Sequence, residues 1–171
     1  MERRDIAIIG TGPGGVSAAI TAKIRGKQLW LFGTRHLSEK LEKAKTILNY
    51  PGLPAVSGMA LADGMRAQLK SLDIPILETQ VTAVYAMGDY FAIQTPTDMY
   101  EASAVILAAG VVMGKPFPGE KELLGRGVSY CATCDAPFYR DKTVAVVGYS
   151  EHSREEASFL AETAKEVLYF P

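Results

Sequence analysis

The sequence predicts an α/β protein: a Rossmann-like, three-layer dinucleotide-binding domain with an inserted β-meander, then the start of a second dinucleotide-binding-type unit that carries a Cys-x-x-Cys pair. Three observations predict it. A short apolar run, Ile6 to Ile9, feeds directly into Gly10-Thr11-Gly12-Pro13-Gly14-Gly15. A second run, Thr143 to Val147, feeds into another turn that opens on Gly148. Between them lie short apolar segments separated by Gly and Pro turn signals, the pattern of antiparallel strands. These observations divide the chain into residues 1–115 and 116–171.

The first unit reads strand, Gly-rich turn, helix, strand. Ile6-Ala7-Ile8-Ile9 is apolar on both faces, as in a parallel sheet. G-x-G-x-x-G follows in the context that gives it meaning. Gly10 permits the tight turn, Gly12 lets the backbone approach a pyrophosphate, and Gly15 lets helix and strand pack closely. The helix N-terminus then faces the phosphates. Val16 to Arg25 is rich in helix formers and stops at Gly26, and Gln28 to Phe32 is the second strand. Phe32-Gly33-Thr34-Arg35 stands where an acid usually holds a ribose hydroxyl, which weakens an NAD reading more than a flavin one.

Leu37 to Lys45 is a charged run, read either as a solvated helix face or as a partner-docking segment. Asn49 precedes Tyr50-Pro51-Gly52 and is either a turn residue or a hydrogen-bonding partner for a cofactor. Ile74 to Leu77, Val81 to Tyr85 and Tyr90 to Ile93 are the expected meander strands, with turns at Gly88-Asp89 and Pro96. Val105 to Leu107 is a further buried strand and leads into Ala108-Ala109-Gly110. In the second unit, Thr143 to Val147 is a buried strand, a helix runs from about Arg154 to Ala164, and Glu166 to Phe170 is the next strand.

Cys131 and Cys134 are the only cysteines in 171 residues. Their spacing suits a small disulfide and also thiol–disulfide exchange, in which one thiolate attacks and its neighbour resolves the mixed disulfide. A zinc knuckle needs further ligands, and His36 and His152 are not spaced as a second pair, so no metal site is expected. A structural disulfide implies an oxidising compartment, which a chain opening without a signal peptide does not indicate. The redox-active reading, in a reducing cytoplasm, is the one carried forward. Asp135 beside the pair is either a turn or cap residue or an acid–base group that accepts and returns the thiol proton.

Composition excludes some partners. With 18 Lys and Arg against 19 Asp and Glu, the net charge of −1 gives no footprint for nucleic acid or an anionic membrane. No apolar stretch approaches the length of about 20 residues that spans a bilayer.

The Gly-rich opening, Asn49-Tyr50-Pro51-Gly52, Val105 to Gly110, Gly119-Glu120 and Gly125 to Asp135 occur in the order seen in low-molecular-weight flavoprotein thioredoxin reductases. The chain resembles that family over essentially its whole length. The resemblance implies FAD on the first domain, with Gly10, Gly12, Pro13, Gly14, Gly15, Phe32, Gly33, Asn49, Ala109 and Gly110 as cofactor-binding positions. It implies that Cys134 lies against the flavin and bonds to it transiently, that Cys131 attacks a thioredoxin-like partner's disulfide, and that Asp135 is the acid or base. It also implies a domain rotation that exposes the pair, and a homodimer for the full-length protein. Members of the family are longer and return to finish the flavin site with a Gly-Asp segment, so the chain is expected to be an N-terminal portion.

The chain departs from the family in several places. Leu37 to Lys45 replaces a Gly-Gly-Gln segment near the flavin, and Ala109 stands where a Thr is common. In NADPH-dependent members the second turn is Gly-rich, whereas this one reads Gly148-Tyr149-Ser150-Glu151-His152-Ser153. Side chains at Tyr149 and Ser150, and the charge of Glu151, oppose a pyrophosphate there. This turn is similar to that of the ferredoxin-dependent flavin thioredoxin reductases, which implies reduced ferredoxin as the donor. NADPH as donor, and a degenerate nucleotide-binding or redox-sensing module without turnover, are the alternatives.

Overall fold

The computed structural model describes residues 2–110 and 116–171. It forms two compact units, Met1–Lys45 with Ser57–Lys115, and Thr46–Val56 with Pro116–Pro171. The expected boundary at 115/116 borders residues 111–115, which lie outside the described residues.

In the first unit, β1 (Arg3–Ile9) lies between β2 (Leu29–Phe32) and β5 (Met99–Leu107), parallel to both. Strands β3 (Ala83–Ala86) and β4 (Phe91–Gln94) extend the sheet antiparallel, in the order β2-β1-β5-β4-β3. Alternation assigns the faces. Ile6, Ile8, Leu29 and Leu31 share one face, and Ile8 and Leu31 are fully buried there. The helix α1 (Pro13–Ile24) packs on β1 and β2 and in turn meets α3 (Gly58–Ser71). On the other face Ala7, Phe32, Ile93 and Ala102 form a core joined by Trp30, Leu77, Val81, Phe91 and Tyr100. Tyr100 meets the rings of Trp30 and Phe32 edge-on, each at 5.1 Å.

Helix ends follow local chemistry. Past α1, Gly26 (φ +70°) donates to Lys23 O and Lys27 donates to Ala22 O, the paired bonds of a Schellman motif. The end of α3 repeats it with Asp73 at the left-handed position (φ +50°), and Ile74 closes onto Leu69. The charged run contains a short helix, α2 (Glu39–Lys43), capped by Ser38. It is not solvated on every side: Leu37 and Leu41 are buried, and Glu42 pairs with Arg66 of α3 at 2.9 Å.

Two strand expectations need correction. Ile74 to Leu77 is not a meander strand. It makes one parallel bridge, Leu77 to Phe32, with Leu77 donating to Leu31 O. Pro75 lacks the N–H that a longer ladder needs. The meander's third strand is instead the first half of β5, which begins at Met99 rather than Val105. The Met99–Ala104 stretch has no β-branched residue to announce it, and hydrogen bonding to both β4 and β1 decides its conformation.

The second unit pairs β6 (Thr143–Val147) in parallel with β7 (Glu166–Phe170) through α6 (Glu151–Ala161). Two short helices precede them, α4 (Glu120–Leu123) and α5 (Ala132–Asp135), and a single 3-10 turn follows at Ala136–Tyr139. Ala132, Ala136 and Leu160 form its core with Val144, Val146 and Val167. The helix starts at Glu151, three residues before the expected Arg154, because Ser150 and Ser153 form a capping box. Nor are β6 and β7 buried on both faces: Val147, Leu168 and Phe170 are 52%, 43% and 51% exposed.

Candidate functional site

The first unit presents a phosphate-type cradle. Gly10 has φ +115°, and a Cβ there would stand 2.1 Å from Ala108 O. A Cβ on Gly15 would stand 1.9 Å from Gly10 O, so the helix meets the turn at a distance only glycine permits. Gly12 and Gly14 face open space. Gly12 is the N-cap of α1 and Pro13 opens its first turn, which has no side-chain cap and no acid. The leading N–H groups are therefore free to meet an anion.

Other expected cofactor positions divide by structure. A Cβ on Gly33 would meet Thr11 Oγ1 at 2.4 Å, so Gly33 makes room for Thr11. Phe32 is 1% exposed and stacks in the core against Tyr100, so its side chain lines no open surface. Ala109 and Gly110 (φ +74°) are exposed just after β5. Asn49 is exposed in a loop closed by the Ile47–Val56 bridge, where Leu53 donates to Tyr50 O across Pro51-Gly52. With Pro51 and left-handed Gly52 at its centre, that is a type II turn. The loop belongs to the other compact unit from the cradle.

The sequence reading passed over Thr11 and Ala108. Buried Thr11 accepts from Thr34 N–H at 3.0 Å and has Thr34 O and Leu37 O at 3.0 and 3.2 Å, which ties the Gly-rich turn to the chain after β2. A small hydroxyl residue flanked by two required glycines was the available signal.

In the second unit Cys131 and Cys134 form a disulfide with Cα atoms 5.3 Å apart. Cys131 is the N-cap of α5, and its Sγ accepts from Cys134 N–H at 3.3 Å. Thr133 Oγ1 lies 3.5 Å from the same sulfur. Ser129 Oγ accepts from Cys131 N–H and lies near Cys131 O, fixing the approach to the pair. Both cysteines and Asp135 are half-buried. Burial, and next the Asp135 carboxylate, raise the Tyr139 phenol above its ordinary pKa. Glu156 of α6 accepts from Ala132 N–H at 3.4 Å, and His152 lies 3.9 Å from the same carboxylate. Tyr139 and Glu156 were not singled out from sequence. Glu156 shares a helix face with the buried Ser153 and Leu160, which was its only signal.

The turn after β6 is closed by its own side chains. A Cβ on Gly148 would meet Ser153 Cβ at 2.4 Å. Tyr169 donates to Gly148 O at 2.7 Å and lies 3.1 Å from Ser153 Oγ, which donates to Ser150 O at 2.6 Å. Ser150 caps the helix at Ser153 N–H, and Glu151 occupies the first turn. This N-terminus is satisfied and acidic where that of α1 is bare.

A family profile described as "Pyridine nucleotide-disulphide oxidoreductase" matches residues 4–170. The chain belongs to that family. Among pyridine nucleotide-disulphide oxidoreductases it is similar to the thioredoxin reductase of Aquifex aeolicus, 38% identical over 96% of this chain and 52% of the relative. A solved ferredoxin-flavin thioredoxin reductase from Clostridium acetobutylicum is 53% identical, with a TM-score of 0.66 over 99% of this chain and 59% of that one. A thioredoxin reductase from Streptococcus pyogenes is 35% identical, with a TM-score of 0.83 over 98% of this chain and 55% of that one. The chain thus spans about half the length of the curated relatives it matches. FAD is the cofactor of the family, and the Gly10–Gly15 cradle fits its pyrophosphate: close-packed glycines at Gly10 and Gly15, open glycines at Gly12 and Gly14, and an uncapped helix. Among the described residues no helix is long and apolar enough to cross a membrane.

Proposed function

We propose that the chain is part of a cytoplasmic, flavin-dependent disulfide reductase in which Cys131 and Cys134 pass electrons to a thioredoxin-like protein, with reduced ferredoxin as donor. The observation that carries the donor is the contrast between the two helix N-termini. That of α1 is uncapped and free of acid, whereas that of α6 is capped by Ser150 and bears Glu151. A pyridine nucleotide's pyrophosphate would displace the Ser150–Ser153 cap and meet a carboxylate. The similarity to the Clostridium ferredoxin-flavin enzyme supports the same reading.

The residues of this chain divide the work. Gly10, Gly12, Pro13, Gly14 and Gly15 would hold the dinucleotide, with Gly33, Ala109 and Gly110 of the same unit completing the contacts. Bound FAD would supply a two-electron carrier. In the reduced pair, the Cys131 thiolate attacks the partner's disulfide, forming a mixed disulfide and expelling one partner thiolate. Cys134 then attacks Cys131, re-forming the Cys131–Cys134 bond and releasing the second partner thiolate. The pair is oxidised and the partner reduced, while Asp135 takes and returns the proton.

The test is an anaerobic visible spectrum of the protein titrated separately with NADPH and with reduced ferredoxin. Bleaching of flavin absorbance by ferredoxin alone is the expected result. Bleaching by NADPH would overturn the reading of Gly148 to Ser153.

A further inference from the structure

We propose that Glu156 is a positioning residue for the dithiol, holding the first turn of α5 through Ala132 and setting a negative charge against the residue that follows Cys131. The proposal rests on the reading of Cys131 and Cys134 as the reacting pair. Glu156 lies on a different element from the cysteines, yet its Oε1 accepts from Ala132 N–H, the first residue after Cys131. Its side chain is only 31% exposed, so its charge is incompletely screened. Two influences then act on a Cys131 thiolate from opposite directions. The Cys134 N–H aimed at Sγ favours it, and the Glu156 carboxylate disfavours it by like charge. His152 Nε2 lies 3.9 Å from Glu156 Oε1.

The remaining charged neighbours are few. Asp135 lies on α5 and Tyr139 on the turn that follows it. Glu155 of α6 lies 3.5 Å from His152 Nδ1, and in the preceding segment Tyr130 bonds Glu120. The strand residues packed under α5, Val144, Val146 and Val167, are uncharged. Glu156 thus stands against the cysteine helix from α6, through Ala132.

Alkylation of the reduced protein by iodoacetamide, followed across pH and resolved at Cys131 and Cys134 by peptide mass spectrometry, tests this without flavin, donor or partner. Each thiolate displaces iodide, so the rate reports its ionisation. Glu156→Gln keeps an acceptor oxygen for Ala132 and removes the charge. It is expected to move the Cys131 midpoint to lower pH by about half a unit or more. Glu155→Gln removes a carboxylate of the same helix that is 71% exposed, and is expected to leave the Cys131 midpoint in place. Superimposable Cys131 profiles for wild type and Glu156→Gln, or an equal shift from Glu155→Gln, would overturn the proposal. Should Glu156→Gln lose its helical circular dichroism, the wild-type protein decides: its Cys131 midpoint should fall as added salt screens the Glu156 charge, and a salt-independent midpoint refutes the role. A protein that fails to bleach with ferredoxin leaves this result untouched, so the two readings fail separately.

Discussion

Tyr139 shows how a residue beside the cysteine helix contributes to stability. Its phenol lies close enough to Asp135 to feel the carboxylate, and burial with that charge raises its pKa above the ordinary 10.0. The folded state therefore favours the neutral phenol more than the unfolded state does. The associated stability is full below the unfolded pKa and is lost as pH rises through the folded one. Urea midpoints measured from neutral to strongly alkaline pH should fall on the alkaline side, and Tyr139→Phe should flatten that limb; an identical limb in the variant would refute the assignment. Thr11 and Glu156 carry a related lesson. Each acts through a hydrogen bond to a backbone group distant in sequence, Thr34 in one case and Ala132 in the other. The glycines and cysteines announce themselves by type and spacing, and such supporting residues do not.

At the scale of elements, the chain writes its helix ends clearly and its strands unevenly. Gly26 ends α1 where the sequence says it should. Asp73 does the same work for α3 with a side chain that the left-handed conformation disfavours. Asp73→Gly should therefore stabilise the protein by about 0.5–1 kcal/mol in urea unfolding, while Gly26→Ala should destabilise it. No gain for Asp73→Gly would mean that the Asp side chain has a compensating partner. The capping box at Ser150–Ser153 explains why α6 begins early: apolar periodicity marks the packed part of a helix, and polar capping adds a turn before it. In β5 the reverse holds. Its first half has little intrinsic strand preference and is held by neighbours on both sides.

At the scale of the whole molecule, each unit has a core of its own and exposed apolar residues. In the second unit Val147, Leu168 and Phe170 lie on the sheet face away from Val144, Val146 and Val167, and among the described residues β6 and β7 pair only with each other. Such an exposed apolar face favours self-association. Leu168→Lys with Phe170→Lys should lower the self-association of this chain in sedimentation velocity, at a stability change within about 0.5 kcal/mol per site. Unchanged sedimentation would show that the face is not the adhesive surface.

The sequence by itself determined the fold class, the Gly-rich cradle, the cysteine pair that forms the disulfide and the departure of the second turn from a Gly-rich form. These features depend on residue type at short spacing: glycine where a Cβ has no room, cysteines close enough to bond, and a strand followed at once by a turn. Tertiary structure decided the rest. It placed Phe32 in the core, moved Leu77 from the meander to a bridge with β2, and closed the second turn with Tyr169, which is 21 residues from Gly148. It also brought Glu156 to the cysteine helix. Those outcomes depend on contacts between residues far apart in the chain, and local pattern carries no record of which partner packing will supply.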